Sequence, residues 1–517
     1  MRKLRIIASY LAMAVAAISL TRADGATVAA PIPIGYATTR ITRPLTKNGL
    51  VDYVAAFNQR FGKGITPQNN AAVPLLILFR PQSFRGGSYT MAAGKMVYVE
   101  NKNWGHKFRK ALGISDRDLQ GPQYIPLQEF LTKADYAAIG TARHLRLSPD
   151  YMQSLARRPW AAKANAFTAA WLRANGGALD IAAAAFTRSR FFLPIIRERS
   201  GQGMFGASGC VAGIINDIDA LAINLAKRAM LELHHDQIRR CESDLIAAHR
   251  GLILATYEHF LPILQRGLSH ESRLSTVTAA DEALAESGKL SSVQALAYLR
   301  MLNSLPHPAS LSGDERTTQR WFNLDAIERA AENKTQTDLA QFDTLFSHDR
   351  KPWQRSTFAV AATRLNSLID NTVRLLNTPG FLNKQRSLMK MTAGLRNGHK
   401  MPRRLVIEMH IGLSSLIAGA ARRDCGTRID KLCFALVAYH GNRGKFPARL
   451  AELVPKYLPK IPHDPFTGKS FGYALNPAGC TISSPGEFPP QFLTGSQLPY
   501  GRPLIVNLSL PPWRAKK

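Results

Sequence analysis

The stretch DALAINLAKRAMLELHHDQIRRCESDLIAAH, residues 219–249, decides the fold class. Leu221, Leu225, Ala229 and Leu233 recur at the spacing of one helical face. His234, His235 and Asp236 then interrupt the pattern. Ile238, Cys241, Leu245 and Ala248 restart it. Two amphipathic helices joined by so short a turn predict an αα-hairpin. Successive helices of this kind read from about Pro126 to Asp424, without a second copy at a fixed period. The predicted fold is mainly α: an irregular helical bundle or αα-hairpin solenoid with a small α+β module at the C-terminus.

Toward the N-terminus, Leu50, Val54 and Phe57 recur at helical spacing. Asn69 to Phe79 form a second apolar segment that Pro74 interrupts. Gly86 to Glu100 carry Tyr89, Met96, Val97 and Tyr98 among glycines, the pattern of a short hairpin or an ordered loop. The chain start has three parts. Arg2, Lys3 and Arg5 are basic, Ile6 to Leu20 carry no charge, and Thr21 and Ala23 are small. That is the plan of a secretory signal, with the cut expected after Ala23. As a helix the 15-residue apolar run would span about 22 Å. A bilayer core of about 30 Å is wider, so a cleaved signal is favoured over an uncleaved anchor.

The expected organisation is a signal or anchor at 1–23, a linker at 24–43, and an N-terminal helical region with a hairpin at 44–125. A helical hairpin region follows at 126–308 and a second helical region at 309–424, with Pro306–Pro308 and Ser310–Glu315 at their boundary. A C-terminal module and tail occupy 425–517. Leu405 to Ala421 is apolar but contains Glu408, His410, Ser414 and Ser415. Charge at bilayer depth is costly, so a packed amphipathic helix is expected there.

The formal charge is +31, and cleavage after Ala23 would leave +27. Such a balance predicts affinity for an anionic surface or polymer. The basic residues are scattered in small groups: Lys107–Arg109–Lys110, Arg157–Arg158, Arg403–Arg404 and Arg422–Arg423. No RNA-binding aromatic signature or zinc-finger spacing accompanies them, which argues against nucleic acid as the partner. Five cysteines, Cys210, Cys241, Cys425, Cys433 and Cys480, form no C-x-x-C pair and no disulfide framework. Cys425 and Cys433 lie too far apart to bridge if they share one helix.

Two motifs invite a chemical reading. Gly201-Gln202-Gly203-Met204-Phe205-Gly206 fits G-x-G-x-x-G. A dinucleotide site needs a strand before it and an acidic residue at the end of a second strand after it. Here Pro194 interrupts the preceding segment and a helix follows, so a loop leading into a helix is expected. His234, His235, Cys241, Asp244 and His249 resemble a metal cluster. On one straight helix, however, His235 and His249 would be about 21 Å apart. No nucleophile elbow, H-E-x-x-H or phosphate loop appears, and Gly206-Ala207-Ser208-Gly209 is not an elbow. No catalytic, cofactor-binding or metal-binding residue is assigned.

The C-terminal stretch FPARLAELVPKYLPKIPHDPFTGKSFGY, residues 446–473, predicts a short helix followed by turns and a small sheet. Phe446, Leu450, Leu453 and Val454 share its apolar face, Pro455 stops it, and Tyr457 and Leu458 pack behind. Phe466 and Tyr473 are expected to anchor the sheet. With Ala435-Leu436 and Ala438-Tyr439-His440 before it, this order resembles the post-helix region of major type II secretion pseudopilins. It more closely resembles the C-terminal end of a large uncharacterised family of planctomycete exported proteins. Residues 44–72 and 227–254 resemble that family too, and the three stretches cover about a fifth of the chain. The resemblance implies export and assigns no activity. The prepilin peptidase motif is absent, and residues 476–490 offer one carboxylate, Glu487, too few for calcium. The expectation is an exported, envelope-associated interaction or scaffold protein, with an envelope protein or an anionic surface or polymer as partner. An extracytoplasmic hydrolase of anionic polymers and a nucleic-acid-binding protein are the alternatives.

Overall fold

A computed structural model describes residues 32–79, 86–92, 95–131, 149–197, 202–256, 263–333, 355–397, 403–484 and 504–510. The expected signal lies outside the described residues. The chain is mainly helical, with a small antiparallel sheet near its C-terminus.

Helix α1 is Tyr53–Phe61, capped by Asp52, whose carboxylate accepts the Ala55 N–H at 2.9 Å. Leu50 is buried but lies ahead of this helix. Helix α2 is Ala72–Leu78. Pro74 falls in its first turn, where no N–H is required, so it does not interrupt the helix. Strands β1 (Gly86–Ala92) and β2 (Lys95–Asn101) pair antiparallel with Tyr89 opposite Tyr98. The glycine-flanked stretch is thus a hairpin. It runs directly into α3, Lys102–Leu112.

Helices α4 (Ala166–Ala174) and α5 (Gly176–Ala185) lead to the central pair, α6 (Met204–His234) and α7 (Ile238–Ala255). Leu221, Leu225, Ala229 and Leu233 on α6 and Cys241, Leu245 and Ala248 on α7 are all fully buried. The αα-hairpin has the expected faces. Its turn passes through Asp236 at φ +61°, and Lys289 holds the Asp236 carboxylate at 2.6 Å.

Helices α8 (Ile263–Glu286) and α9 (Ser292–Asn303) pack on a long helix, α13 (Arg403–Arg443). Ser291 and Gln294 form a capping box at the start of α9. Helices α10 (Arg320–Asn333), α11 (Arg355–Asn377) and α12 (Phe381–Asn397) complete the bundle, with α10 on α11 and α12 on α13. The stretch from Leu405 to Ala421 belongs to α13, and Leu413, Leu416 and Ile417 are buried. Among the described residues no helix is long and apolar enough to cross a membrane.

Residues 424 and 425, the expected edge of the C-terminal module, are consecutive residues of α13. The helix continues through Gly426 because its other neighbours there are strongly packed: Cys425 and Ile429 are buried, and Gly426 faces Thr278 on α8. It ends at Gly444, whose φ of +72° favours glycine. Beyond it, the expected short helix is a single 3₁₀ turn at Leu450–Leu453. Leu450 and Leu453 are buried, but Val454 leaves the turn and is 37% exposed. Tyr457 and Leu458 are buried as expected, and Phe466 meets Phe381 edge-to-face at 5.1 Å. Asp464 organises the turn, accepting from the Phe466 N–H at 2.9 Å and the Thr467 hydroxyl at 3.2 Å. Strands β3 (Gly472–Asn476), β4 (Gly479–Ser484) and β5 (Leu504–Leu508) form an antiparallel sheet in that order. Its residues Cys480, Ile482, Val506 and Leu508 join the same buried cluster as the helices.

The described part of the expected linker, residues 32–43, lies against α11. Asn366 donates to the Ala37 and Thr38 carbonyls at 2.9 Å each, and Arg40 pairs with Asp370. Cys241, Cys425, Cys433 and Cys480 are free and buried.

Candidate functional site

The residues of the apparent metal cluster go to three different places. His234 ends α6 and His235 caps it, both at the turn. Asp244 receives two hydrogen bonds from Arg228, at 2.6 and 2.8 Å, and Arg228 also pairs with Asp180. Such a fork fixes α5, α6 and α7 together. His249 instead faces Asp281 on α8. Among the described residues no three His, Cys, Asp or Glu side chains converge to hold a metal ion.

His249 begins a buried relay. Its Nε2 lies 2.6 Å from Asp281 Oδ2, and the Tyr298 hydroxyl donates to Asp281 Oδ1 at 2.6 Å. His249 is 4% exposed, and Asp281 and Tyr298 are fully buried. Asp430 of α13 is also buried, and neither of its oxygens has a hydrogen-bond partner. Burial, reinforced by Asp281 and Glu282, pushes Asp430 far above the ordinary carboxylate range. Burial also raises Glu282 to about 7, with Glu286 and Asp281 adding to the effect. A His–carboxylate–Tyr arrangement has the parts of a proton relay. These side chains are buried among α7, α8, α9 and α13, and the hydrogen bonds of His249, Asp281 and Tyr298 join α7, α8 and α9.

The G-x-G-x-x-G segment supports a contact within the protein. A Cβ on Gly203 would come within 2.5 Å of Asp325 Oδ2 and 2.7 Å of the Arg329 side chain. The Met204 N–H, at the first turn of α6, donates to Asp325 Oδ2 at 2.7 Å. A carboxylate of α10 thus occupies the helix end that a phosphate would need. Arg329 binds Asp325 at 3.1 Å, and Arg197 grips both Asp52 oxygens at 2.6 and 3.1 Å.

The basic groups singled out in the sequence lie on separate elements. Lys107, Arg109 and Lys110 are on α3, where Arg109 pairs with Asp116. Arg157 donates to Thr276 at 3.2 Å. Arg403–Arg404 and Arg422–Arg423 lie a helix half apart on α13. A different basic surface stands out. Between Asp370 and Glu408 the sequence has eight Lys or Arg residues and no acid. This run holds the end of α11 and all of α12. The two helices form a hairpin, turning at Gly380 with φ +78°.

Along α11, Val360, Arg364, Ser367, Asn371 and Arg374 follow one exposed stripe. Along α12, Leu382, Arg386, Met389, Lys390 and Ala393 follow another. Between the helices lies an open cleft of about 530 Å³. Asn371, Arg374, Thr378, Ser387 and Lys390 give it polar walls, and Leu375, Met391 and Leu395 an apolar floor. It contains no carboxylate and no imidazole. The one acid of the hairpin, Asp370, is taken up by Arg40 and Arg320. Arg374 donates to Asn371 and Arg386 to Asn383, leaving their charge unneutralised. Arg supplies planar, two-pronged donors and Lys a point charge, which together suit carboxylate, sulfate or phosphate oxygens. Local spacing does not reveal this face, because Arg364, Arg374, Arg386 and Lys390 are four to twelve residues apart and form no run. The missing acids were the available signal.

Compared with known proteins, the chain matches no family model, no curated protein and no solved structure.

Proposed function

We propose that this chain is a non-catalytic, exported, envelope-associated interaction protein that holds an anionic partner on the α11–α12 hairpin. The observation that carries the reading is the exposed, acid-free cleft containing Arg374 and Lys390. The net charge of +31 favours the same class of partner by steering it from a distance. Export is supported by the basic start, apolar core and small residues of positions 1–23. The buried His249–Asp281 pair is closed to a substrate, which disfavours a hydrolase that would use it. A single-strand nucleic-acid site would require aromatic stacking platforms, and none lines the cleft.

The test is equilibrium binding to dextran sulfate, with neutral dextran as the control. Wild-type binding that weakens with salt and falls in R374E/K390E supports the reading. Equal binding of both dextrans removes it.

A further inference from the structure

The chemistry of the α11–α12 face extends beyond charge. On α12, Leu382 is 36% exposed and Met389 38%, on the same stripe as Arg386 and Lys390. Their spacing of i, i+4, i+7 and i+8 places all four on one side of the helix. On α11, Val360 is 47% exposed and heads the stripe that carries Arg364 and Arg374. The opposite sides of both helices are committed to the core through Phe358, Leu365, Ile369, Phe381 and Leu388. The outer face is therefore a mixed surface of apolar tips and unneutralised cations.

Resting on the reading above, we infer that the anionic partner is a phospholipid surface and that the outer face of the α11–α12 hairpin lies flat on it. A water-borne acidic polymer would satisfy the cations but leave Leu382, Met389 and Val360 in water. A bilayer interface satisfies both sets at once. Phosphates meet Arg364, Arg374, Arg386 and Lys390, while the apolar tips enter the headgroup–acyl boundary just below. The long stems of Arg and Lys reach back to the phosphate level from such a position. Asn371, Thr378 and Ser387 offer hydrogen bonds to headgroup oxygens at the cleft. The attachment is peripheral and multivalent, and each cation contributes a modest share.

The experiment is co-sedimentation of the full chain with phosphatidylcholine vesicles, with and without phosphatidylglycerol, run beside dextran sulfate binding. The wild type should bind the anionic vesicles and leave the neutral ones. L382S/M389S should weaken vesicle binding about tenfold by removing two inserted apolar groups, while dextran sulfate binding stays unchanged. R386E/K390E should weaken both. Because all four positions are exposed, an unaltered helical circular dichroism spectrum certifies the fold of each variant. Full vesicle binding by L382S/M389S, or equal binding to neutral vesicles, overturns the lipid assignment and leaves anion binding standing. Unchanged binding of R386E/K390E to both probes overturns the lipid assignment and the anion-binding reading together.

Discussion

His249 Nε2 lies 2.6 Å from Asp281 Oδ2, and the two residues, on α7 and α8, are 32 apart in sequence. Tyr298 closes the other side of the carboxylate at 2.6 Å. The group is buried, so its satisfied hydrogen bonds specify how α7, α8 and α9 meet. Breaking one partner leaves the others buried without compensation. D281N should therefore cost about 3 kcal/mol or more of unfolding free energy. Y298F removes one bond and should cost about 1–2 kcal/mol. Denaturant titration of both variants checks the order. A D281N protein as stable as the wild type would show that the relay holds nothing together.

Stability should fall as pH rises from the ordinary carboxylate range to about 8. Burial raises Glu282 and Glu315 to about 7 and Glu328 and Glu232 to about 8, and it also raises Asp430 well above the ordinary carboxylate range. In the unfolded chain these groups ionise near their usual value of about 4. Between the two values the folded state holds more protons, so each added pH unit favours unfolding. Thermal midpoints at pH 5 and pH 8.5 should show the higher value at pH 5. D430N keeps the neutral form permanently and should reduce the difference. An identical difference in D430N would remove Asp430 from this account.

G203A should be destabilising by about 1–3 kcal/mol, because its methyl group would displace the Asp325 carboxylate that caps α6. G177A is the matched control. Gly177 lies inside α5 with open space where a Cβ would go, so alanine there should be neutral or stabilising by up to about 1 kcal/mol. Chemical denaturation of the two variants separates close packing from helix propensity. A stabilising G203A would contradict the described contact.

The αα-hairpin was legible because the three- and four-residue apolar spacing survives in the core, from Leu221 to Leu233 and from Cys241 to Ala248, with Ile238 half-buried against it. The continuity of α13 was not. Asp424 reads as the end of the helical region, but it pairs with Arg428 across one turn at 2.6 Å and Gly426 lies against α8. Tertiary contact there overrides local composition. His249 drew notice as a potential ligand, yet its partner Asp281 belongs to another helix and no local spacing reveals it. Val454 shows the same limit on a small scale, since one 3₁₀ turn rotates it away from the face that a longer helix would give it. The basic hairpin was visible only as an acid-free run, and its two exposed stripes needed the fold.

The buried thiols should be inert in the native protein. Burial pushes Cys425 and Cys480 up to about 12 and raises Cys241 and Cys433 as well. Of the five cysteines, only Cys210 lies outside this described set. Iodoacetamide at pH 8 should therefore label at most one thiol rapidly, and denaturant should release the others. Rapid labelling of two or more in the folded chain would contradict the burial of this core.

The measurement that tests the central claim most directly is the affinity for dextran sulfate as a function of salt, in the wild type and in R374E/K390E. Exposed charge–charge attraction is screened within a Debye length of about 10 Å at 0.1 M salt. The account predicts wild-type binding that weakens progressively with salt. It also predicts a loss of about tenfold or more in the variant at low salt, from two reversed contacts of roughly 1 kcal/mol each. Binding by R374E/K390E that matches the wild type across the salt series would contradict the assignment of anion binding to the α11–α12 hairpin.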